Sequence, residues 1–220
     1  MIFLVYWVMK LDDMRVQYDR DELREEDLSP DPFQQFTLWI REACESNLIE
    51  PNAMSLATVG ADGRPTLRTV LLKSFDERGF VFYTNLDSRK ARQISENPNV
   101  SLLFPWLALS RQVTVIGEAE HVPTSEALAY FVTRPFGSQL GAWVSPQSRV
   151  ISTRALLEMK WEEAKQKFRE GSVPMPSFWG GFRVVPREME FWQGREHRLH
   201  DRFAYTRLEA GNWKIERIAP

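Results

Sequence analysis

Short apolar segments separated by glycine-containing turns recur in the first half of the chain, and this pattern constrains the fold more than any other feature. Segments 54–59, 66–73 and 80–84 have the composition of strands, and the turns 61–64 and 76–79 join them. Connections this short join antiparallel neighbours. We therefore expect an antiparallel meander in this part of the chain.

The rest of the chain predicts further strands and a few helices. Helices are expected to begin at Asp31-Pro32-Phe33, at Ser88 and at Pro123-Thr124, and a longer helix should run from Ser152 to about Gly171. Further strands are expected at 100–104, 111–121, 182–185, 188–192, 201–208 and 213–218. Many short strands with few helices favour a mainly β, α+β architecture, an antiparallel β-barrel decorated with helices, over a parallel doubly wound sheet.

Charge, cysteine content and missing motifs exclude several functions. The 28 Lys and Arg residues against 30 Asp and Glu give a net charge of −2, so no general basic field for nucleic acid is expected. The single cysteine, Cys44, cannot form an intrachain disulfide and fits a reducing cytoplasm. The sequence has no Gly-x-Gly-x-x-Gly, Walker-type or Gly-x-Ser-x-Gly motif, which argues against the common dinucleotide, nucleoside-triphosphate and hydrolase sites.

The first nine residues are apolar but do not have the features of a membrane segment. A helix needs about 20 residues to cross a bilayer. A signal peptide would have a positive region before the apolar run and small residues at a cleavage site, and neither is present. We expect no membrane anchor, and interpret the run as an extension with Met9 as the true start, or as a strand packed on the body.

Two clusters of cationic side chains are candidates for anion binding. Arg89 and Lys90 fall in the first turn of the helix expected at Ser88, where positive charge is unfavourable unless an anion is present. If residues 196–202 form a strand, Arg198, His200 and Arg202 share one face, which suits an anion or a heteroaromatic ring. The alternatives are a solvated helix face and a charged edge strand.

Two further groups are less specific. Tyr130 and Arg134 are four residues apart on one helix face, with Ser138 close by, but a surface pair would have the same spacing. His197 and His200 have a spacing that a metal pair could use, but Arg195, Arg198 and Arg202 around them would repel a cation. We therefore expect no metal site.

Seven motifs in order carry a resemblance to a known family. They are Arg-Thr-Val-Leu-Leu-Lys (68–73), Phe-Tyr-Thr-Asn (82–85), Ser-Arg-Lys (88–90), Arg-Gln-Val (111–113), Pro-Ser-Phe-Trp-Gly-Gly-Phe-Arg (176–183), Phe-Trp-Gln (191–193) and His-Arg-Leu-His-Asp-Arg-Phe (197–203). From about residue 15 to residue 220 the chain closely resembles the pyridoxine 5′-phosphate oxidase family.

The resemblance implies a fold, a cofactor and a reaction. The fold is a split β-barrel homodimer that binds FMN at the subunit interface. The reaction is oxidation of pyridoxine 5′-phosphate or pyridoxamine 5′-phosphate to pyridoxal 5′-phosphate, with O2 as acceptor, H2O2 as product and ammonia released from the amine. The implied division is an N-terminal extension and lid (1–31), an FMN-binding split-barrel domain (32–172) and a C-terminal dimerisation and active-site region (173–220).

The resemblance also assigns site residues by motif position. The FMN contacts implied are Arg68, Val70, Leu71, Leu72, Lys73, Tyr83, Thr84, Arg89, Lys90, Gln112, Gln147, Ser148, Trp192 and Arg202. The substrate contacts implied are Arg15 and Tyr18 of the lid, Lys73, Tyr130, Arg134 and Ser138 for the phosphate, and Arg198 and His200, also the catalytic pair, for the pyridine ring.

Two observations do not fit this assignment simply. Strand alternation would send Arg68 and Lys73 to opposite faces, unless a bulge, a bend or separate targets reconcile them. Phe136-Gly137 stands where the family suggests a more polar stretch. Two rival functions stay open: a split-barrel oxidase acting on another aromatic acid, and a module that carries flavin or pyridoxal phosphate without turnover.

Overall fold

The computed structural model describes residues 11, 14, 18, 21–169 and 172–220. The predictions for the apolar run 1–8 and for Arg15 lie outside the described residues. Among the described residues, no helix combines the length and the apolar character needed to cross a membrane.

The described chain forms a curled antiparallel sheet with helices on its faces, which confirms the expected fold class. The strands are β1 (Ala53–Val59), β2 (Pro65–Leu71), β3 (Ser74–Asp76), β4 (Gly79–Asn85), β5 (Asn99–Trp106), β6 (Arg111–His121), β7 (Trp179–Gln193), β8 (Asp201–Arg207) and β9 (Trp213–Arg217). The helices are α1 (Pro32–Glu45), α2 (Arg89–Glu96), α3 (Thr124–Thr133), α4 (Phe136–Val144) and α5 (Arg154–Lys167).

The long strand β7 connects the two halves of the sheet. The order is β2-β1-β5-β6-β7-β4-β3, and β8 also pairs with β7 and carries β9. Residues 179–184 of β7 pair with β4, whereas residues 188–193 pair with β8. On one side β7 pairs with β6 along its length, and on the other side its first half pairs with β4 and its second half with β8.

Sequence analysis divided this segment into two strands, and the structure corrects that division. The pairing of β6 with β7 shifts register between Ile116 and Gly117, opposite Pro186. Proline has no backbone N–H to donate and is tolerated at such a bulge. One bent strand therefore continues across the position where the sequence pattern breaks.

Two apolar cores lie against the sheet. The larger packs α1 onto the strands through Phe33, Phe36 and Trp39, and α1 begins where expected because Asp31 Oδ1 accepts a hydrogen bond from the Phe33 backbone N at 2.9 Å. The smaller core packs α3, α4 and α5 against Val81 and Trp179. This smaller core holds the three helices against β4 and the first residue of β7.

Helix α4 was not predicted from the sequence. It follows Pro135 and contains Gly137 and Gly141, which disfavour a helix. Its buried residues Leu140 and Val144 pack into the smaller core, so tertiary packing outweighs the low propensity. The longer helix predicted at 152–171 is α5, which spans only Arg154–Lys167.

A buried arginine on β7 connects the β3–β4 hairpin to helix α3. Arg183 of β7 is 4% exposed. Its guanidinium donates to Asp76 at 3.0 Å and to Glu126 of α3 at 2.9 Å. The β3–β4 hairpin and the first turn of α3 are thereby held to the same strand.

We predict that Arg183→Met lowers the free energy of unfolding by about 1–3 kcal/mol, because two half-buried carboxylates lose their charged partner. Chemical denaturation with an unchanged m-value measures this. The control is Arg187→Met on the same strand, whose pair with Glu118 is solvent-exposed; it should change stability by less than about 0.5 kcal/mol. Equal losses in the two variants would contradict the prediction.

Candidate functional site

A cleft of about 780 Å³ opens beside the ends of β2 and β4. Its walls come from β2 and the residues after it, from the end of β4, from the first turn of α2, from α4 and from the segment after α4. The predicted site residues that line it are Arg68, Val70, Leu71, Lys73, Tyr83, Thr84, Arg89, Lys90, Arg134, Ser138, Gln147 and Ser148.

The charge of this cleft is one-sided. Among the described residues, the cationic side chains lining it are Arg68, Lys73, Arg89, Lys90 and Arg134, and no Asp or Glu lines it. The whole chain carries a net charge of −2, so this concentration is local. Positive groups that face one another without a carboxylate form a site for an anion.

Lys90 is the most deeply buried of these cations. It is 8% exposed, and its Nζ donates to Thr84 Oγ1 at 2.9 Å and to Gln147 Oε1 at 3.1 Å. These acceptors are neutral. Burial and the nearby charge of Arg68 lower the pKa of Lys90 to about 8.

Helix α2 is held so that its first turn faces the cleft. Ser88 is the N-cap and accepts from the backbone N of Ala91. Farther along α2, Gln93 Oε1 accepts from Thr58 at 2.7 Å and from Thr66 at 2.6 Å. Polar bonds to β1 and β2 therefore fix the orientation of α2.

Arg68 is attached to the same network. Its Nη1 donates to Thr58 Oγ1 at 2.6 Å and to the Leu56 carbonyl at 3.1 Å. Burial and the charge of Arg89 lower its pKa. Arg68 and Arg89 therefore repel each other across the cleft wall unless an anion lies between them.

Arg134 lines the cleft from the C-terminal end of α3. Its guanidinium carbon lies 4.9 Å from the centroid of the Trp179 ring. Its Nη1 is buried and has no hydrogen-bond partner among the described residues. Tyr130 does not line the cleft, but its ring stacks on Tyr83 at a centroid distance of 4.2 Å.

Lys73 and Arg68 share the cleft although strand alternation separates them. Strand β2 ends at Leu71, so the alternation does not extend to Lys73. The next residue, Leu72, turns inward and is 6% exposed; it does not line the cleft, unlike Val70 and Leu71. The six consecutive residues 66–71 all line the cleft, so both faces of β2 border it and alternation does not keep Lys73 away from Arg68.

A second group of predicted residues lies at the other end of β7. The rings of Tyr18, Trp192 and His200 are in mutual contact, with 4.6 Å between the centroids of Trp192 and His200. Gln112 and Arg202 pair with Trp192 from the strands on either side. None of these residues lines the cleft.

The length of β7 separates the two groups. Tyr83 pairs with Gly181, and Trp192 lies eleven positions farther along the same strand. An extended strand covers about 36 Å over that distance. Within one chain, the Trp192 group and the cleft are therefore two separate surfaces.

The condition that residues 196–202 form a strand is not met over residues 196–200. Residues Glu196–Arg198 form a 3-10 turn, and His197 and Arg198 have φ angles of 55° and 63°. Strand β8 begins only at Asp201. Arg198 and His200 therefore do not share a strand face with Arg202, and Arg202 instead pairs with Glu190 at 2.8 Å, which raises its pKa.

His200 is held in one tautomer. Its Nδ1 accepts a hydrogen bond from the backbone N of Arg195 at 3.0 Å. A neutral imidazole with this bond carries its proton on Nε2. Burial, then the charges of Arg198 and Arg202, lower the pKa of His200, against a smaller opposing effect of Asp201.

Comparison with known proteins places these features in a family. Residues 40–168 match the family model described as pyridoxamine 5′-phosphate oxidase, and residues 179–220 match that of the pyridoxine 5′-phosphate oxidase C-terminal dimerisation region. The chain belongs to the pyridoxine/pyridoxamine 5′-phosphate oxidase family. The resemblance seen in the sequence motifs is thereby confirmed.

Curated members of this oxidase family are similar over nearly their whole length. The pyridoxine/pyridoxamine 5′-phosphate oxidase of Rippkaea orientalis is 58% identical over 212 residues, 96% of this chain and 100% of that protein. The protein of the same name from Klebsiella pneumoniae is 58% identical over 207 residues, 94% of each chain.

Solved structures give the same architecture. PhzG from Burkholderia lata, in complex with tetrahydrophenazine-1-carboxylic acid, has a TM-score of 0.86 and 30% identity, covering 92% of this chain and 100% of that one. A pyridoxamine 5′-phosphate oxidase-related, FMN binding protein from Nostoc punctiforme has a TM-score of 0.70 at 19% identity, covering 88% and 100%. The second likeness concerns the fold alone.

Sequence reasoning missed some residues of the oxidase cleft. Thr66, Asn85, Ser145 and Trp179 line it but were not assigned a role. Trp179 lies within the 176–183 motif, so its position in the family pattern was the available signal. The described residues contain no group of three or more His, Cys, Asp or Glu side chains suited to a metal.

We predict that His200 in the free protein titrates below the ordinary histidine pKa of about 6.5 and, when neutral, carries its proton on Nε2. The backbone N–H of Arg195 favours the neutral ring, because a proton on Nδ1 would break that bond. Nitrogen-15 NMR of histidine-labelled protein, with His200→Gln to assign the signal, measures both properties. A proton on Nδ1, or a pKa above 6.5, would contradict the geometry.

Proposed function

We propose that this protein is an FMN-dependent oxidase that converts pyridoxine 5′-phosphate or pyridoxamine 5′-phosphate to pyridoxal 5′-phosphate. The observation that carries the proposal is the cleft whose described lining contains five cationic side chains and no carboxylate. Cofactor and substrate each bring a phosphate, and each phosphate needs cationic donors. The curated relatives named for this reaction support the same substrates.

The residues of the cleft fit FMN. Lys90 is buried against neutral acceptors, and with Arg89 at the start of α2 it forms a cationic cradle for the cofactor phosphate. Arg68, Thr84, Gln147 and Ser148 border the same cleft, which at about 780 Å³ is in the size range of cofactor sites. When bound, FMN supplies the hydride acceptor and the reaction with O2 that yields H2O2.

A second set of residues in the cleft suits the substrate phosphate. Arg134 has a buried N–H without an acceptor, and Ser138 and Lys73 line the same cleft. Leaving a buried guanidinium N–H unpaired costs free energy, and a phosphate oxygen would recover it. A phosphate has three acceptor oxygens and up to two charges, so it can use Arg134, Lys73 and Ser138 together, whereas the carboxylate of an aromatic acid has two oxygens and one charge; this favours the phosphorylated substrates.

The site is completed by a second copy of the chain. The group of Tyr18, Gln112, Trp192, His200 and Arg202 cannot reach the cleft of its own chain along β7. In a two-fold symmetric dimer, the C-terminal region of one subunit faces the cleft of the other. FMN then lies at the interface, and Arg198 and His200 of the partner hold the pyridine ring.

The side chains act on the substrate mainly by orientation. His200, neutral and protonated on Nε2, donates a hydrogen bond to a ring substituent, and the guanidinium of Arg198 balances negative charge. Orienting contacts of this type can contribute a factor of about 100 to the rate. Arg15 and Tyr18 are proposed to close over the substrate, and Tyr18 already contacts His200.

We also propose a cytoplasmic location, supported by the exposed, unpaired Cys44.

The function is tested by adding pyridoxine 5′-phosphate to the purified, FMN-loaded protein without oxygen. We expect the flavin absorbance near 450 nm to bleach, to return in air, and pyridoxal 5′-phosphate to accumulate with H2O2. Unphosphorylated pyridoxine is the control substrate. If the flavin absorbance persists, the protein is a module that binds flavin without turnover. If only aromatic acids bleach the flavin, the rival oxidase function is favoured.

The lowered pKa of Lys90 predicts a pH dependence of FMN binding. Below about pH 8 the side chain is charged and attracts the phosphate, and above it the charge is lost. The affinity of the apoprotein for FMN should therefore fall by up to about tenfold per pH unit above pH 8. Fluorescence titration from pH 7 to 9.5 measures this.

The matched control is Lys90→Met, which keeps a linear side chain without the charge. It should bind FMN more weakly at pH 7 and show no loss of affinity between pH 8 and 9.5. A wild-type affinity that stays constant up to pH 9.5 would remove Lys90 from the phosphate site.

A shared site predicts complementation between two inactive variants. Arg89→Ala/Lys90→Ala damages the cleft, and Arg198→Ala/His200→Ala damages the group supplied by the partner. When the two chains are mixed before dimerisation, the heterodimer has one intact site, so about a quarter of wild-type activity should return. Mixtures that stay inactive despite forming heterodimers would mean that each site lies within one subunit.

A further inference from the structure

Trp179, the first residue of β7, has no role in the site as described so far. It is 6% exposed and lines the cleft. Its ring lies nearly parallel to that of Tyr83, with an interplanar angle of 3° and a centroid distance of 5.2 Å. On this ring, 4.9 Å from its centroid, lies the guanidinium carbon of Arg134.

The Arg134 side chain is held by aromatic faces rather than by a carboxylate. Besides Trp179, the ring of Phe131 lies 5.5 Å from the guanidinium carbon, and no ion pair of Arg134 occurs among the described residues. The backbone of Arg134 is fixed separately, because its carbonyl accepts from Gln139 at 2.9 Å. The rings therefore determine where the guanidinium lies.

This mode of attachment suits an anion-binding arginine. A carboxylate partner would neutralise the charge and occupy the N–H groups of the guanidinium. An aromatic face attracts the cation through its quadrupole and leaves the in-plane N–H groups free. The unpartnered Nη1 of Arg134 agrees with this difference.

The Tyr83 ring that stacks on the indole depends on Gly181, two residues after Trp179. A Cβ at Gly181 would lie 2.6 Å from Cδ1 of Tyr83, closer than real contacts allow. Glycine therefore lets the Tyr83 ring lie flat against β7, where it stacks on Trp179 and on Tyr130. The sequence Trp-Gly-Gly at 179–181 thus builds the aromatic surface on which Arg134 lies.

We propose that Trp179 is a positioning residue, whose indole face holds the Arg134 guanidinium at the cleft with its N–H donors free for the phosphate of the substrate. The inference rests on the proposed function for the identity of that phosphate. It assigns to Trp179 an effect on phosphate affinity that acts through Arg134.

The test compares three single variants of the FMN-loaded enzyme. In Trp179→Leu, which keeps an apolar side chain without an aromatic face, KM for pyridoxine 5′-phosphate should rise about tenfold and kcat should change less than about twofold. Trp179→Phe should recover most of this loss. Trp143→Leu is the matched control, because its indole lies in the same core but faces Lys167; its KM should equal that of the wild type.

A double variant separates positioning from general support of the fold. In an Arg134→Ala background, Trp179→Leu should cause no further rise in KM, because the residue through which it acts is gone. A structural role would add its full loss in both backgrounds. Additive effects, an unchanged KM in Trp179→Leu, or a loss confined to FMN content and kcat would each overturn the proposal.

Calorimetric binding of inorganic phosphate to the FMN-loaded proteins makes the test independent of turnover. We expect Trp179→Leu to weaken phosphate binding by about the same tenfold factor, and to have no effect once Arg134 is alanine. If the wild type binds phosphate in this manner but does not oxidise pyridoxine 5′-phosphate, the proposed function fails and the positioning role stands. Phosphate binding that does not depend on Trp179 overturns the role even in an active enzyme.

Discussion

Strand β7 pairs with β4 along its first half and with β8 along its second, while β6 runs beside both halves. This division of one strand between two neighbours determines where the functional side chains lie. The first half, with Trp179, supports the cationic cleft. The second half, with Trp192, supports the group that contains His200. A bulge opposite Pro186 bends the strand between them, so the fold carries two separate surfaces, which the proposed dimer would bring together.

The positive charge of the cleft is not neutralised by carboxylates among its described lining residues. Elsewhere in the chain, buried or half-buried arginines are paired: Arg183 with Asp76 and Glu126, and Arg202 with Glu190. In the cleft, the acceptors of Lys90 among the described residues are all neutral, and Arg134 is held by aromatic rings. Burying unpaired charge costs stability, and a bound phosphate recovers that cost. The family to which the chain belongs has two phosphorylated ligands, the cofactor and the substrate, and each of them carries such a phosphate.

Local features of the fold could be predicted from the sequence where a single residue type controls the backbone. Asp31 and Pro32 indicated the start of α1, Ser88 that of α2 and Pro123-Thr124 that of α3, and β6 has the predicted bounds. Helix α4 could not be predicted, because packing of Leu140 and Val144 outweighs its glycines. The turn at 196–198 depends on positive φ angles at His197 and Arg198, which no local pattern indicates in residues other than glycine or asparagine.

The candidate site could likewise be predicted only in part from the sequence. Arg89 and Lys90 stood out because cations at a helix N-terminus need an explanation. Their association with Arg134 and Lys73 could not be deduced from spacing, since it depends on the end of β2 at Leu71 and on the pairing of β4 with β7. The family resemblance assigned these residues, but it gave no role to Trp179, whose contact with Arg134 is visible only in three dimensions.

The unpaired charge of the cleft is tested most directly by comparing the affinities of the apoprotein for FMN and for riboflavin, which lacks the phosphate. At low salt and pH 7, FMN should bind at least about 100-fold more tightly, because two or more charge-assisted hydrogen bonds are lost with the phosphate. The ratio should shrink as salt is added. Equal affinities for the two flavins would contradict the account, since Arg68, Arg89 and Lys90 would then have no cofactor phosphate to bind.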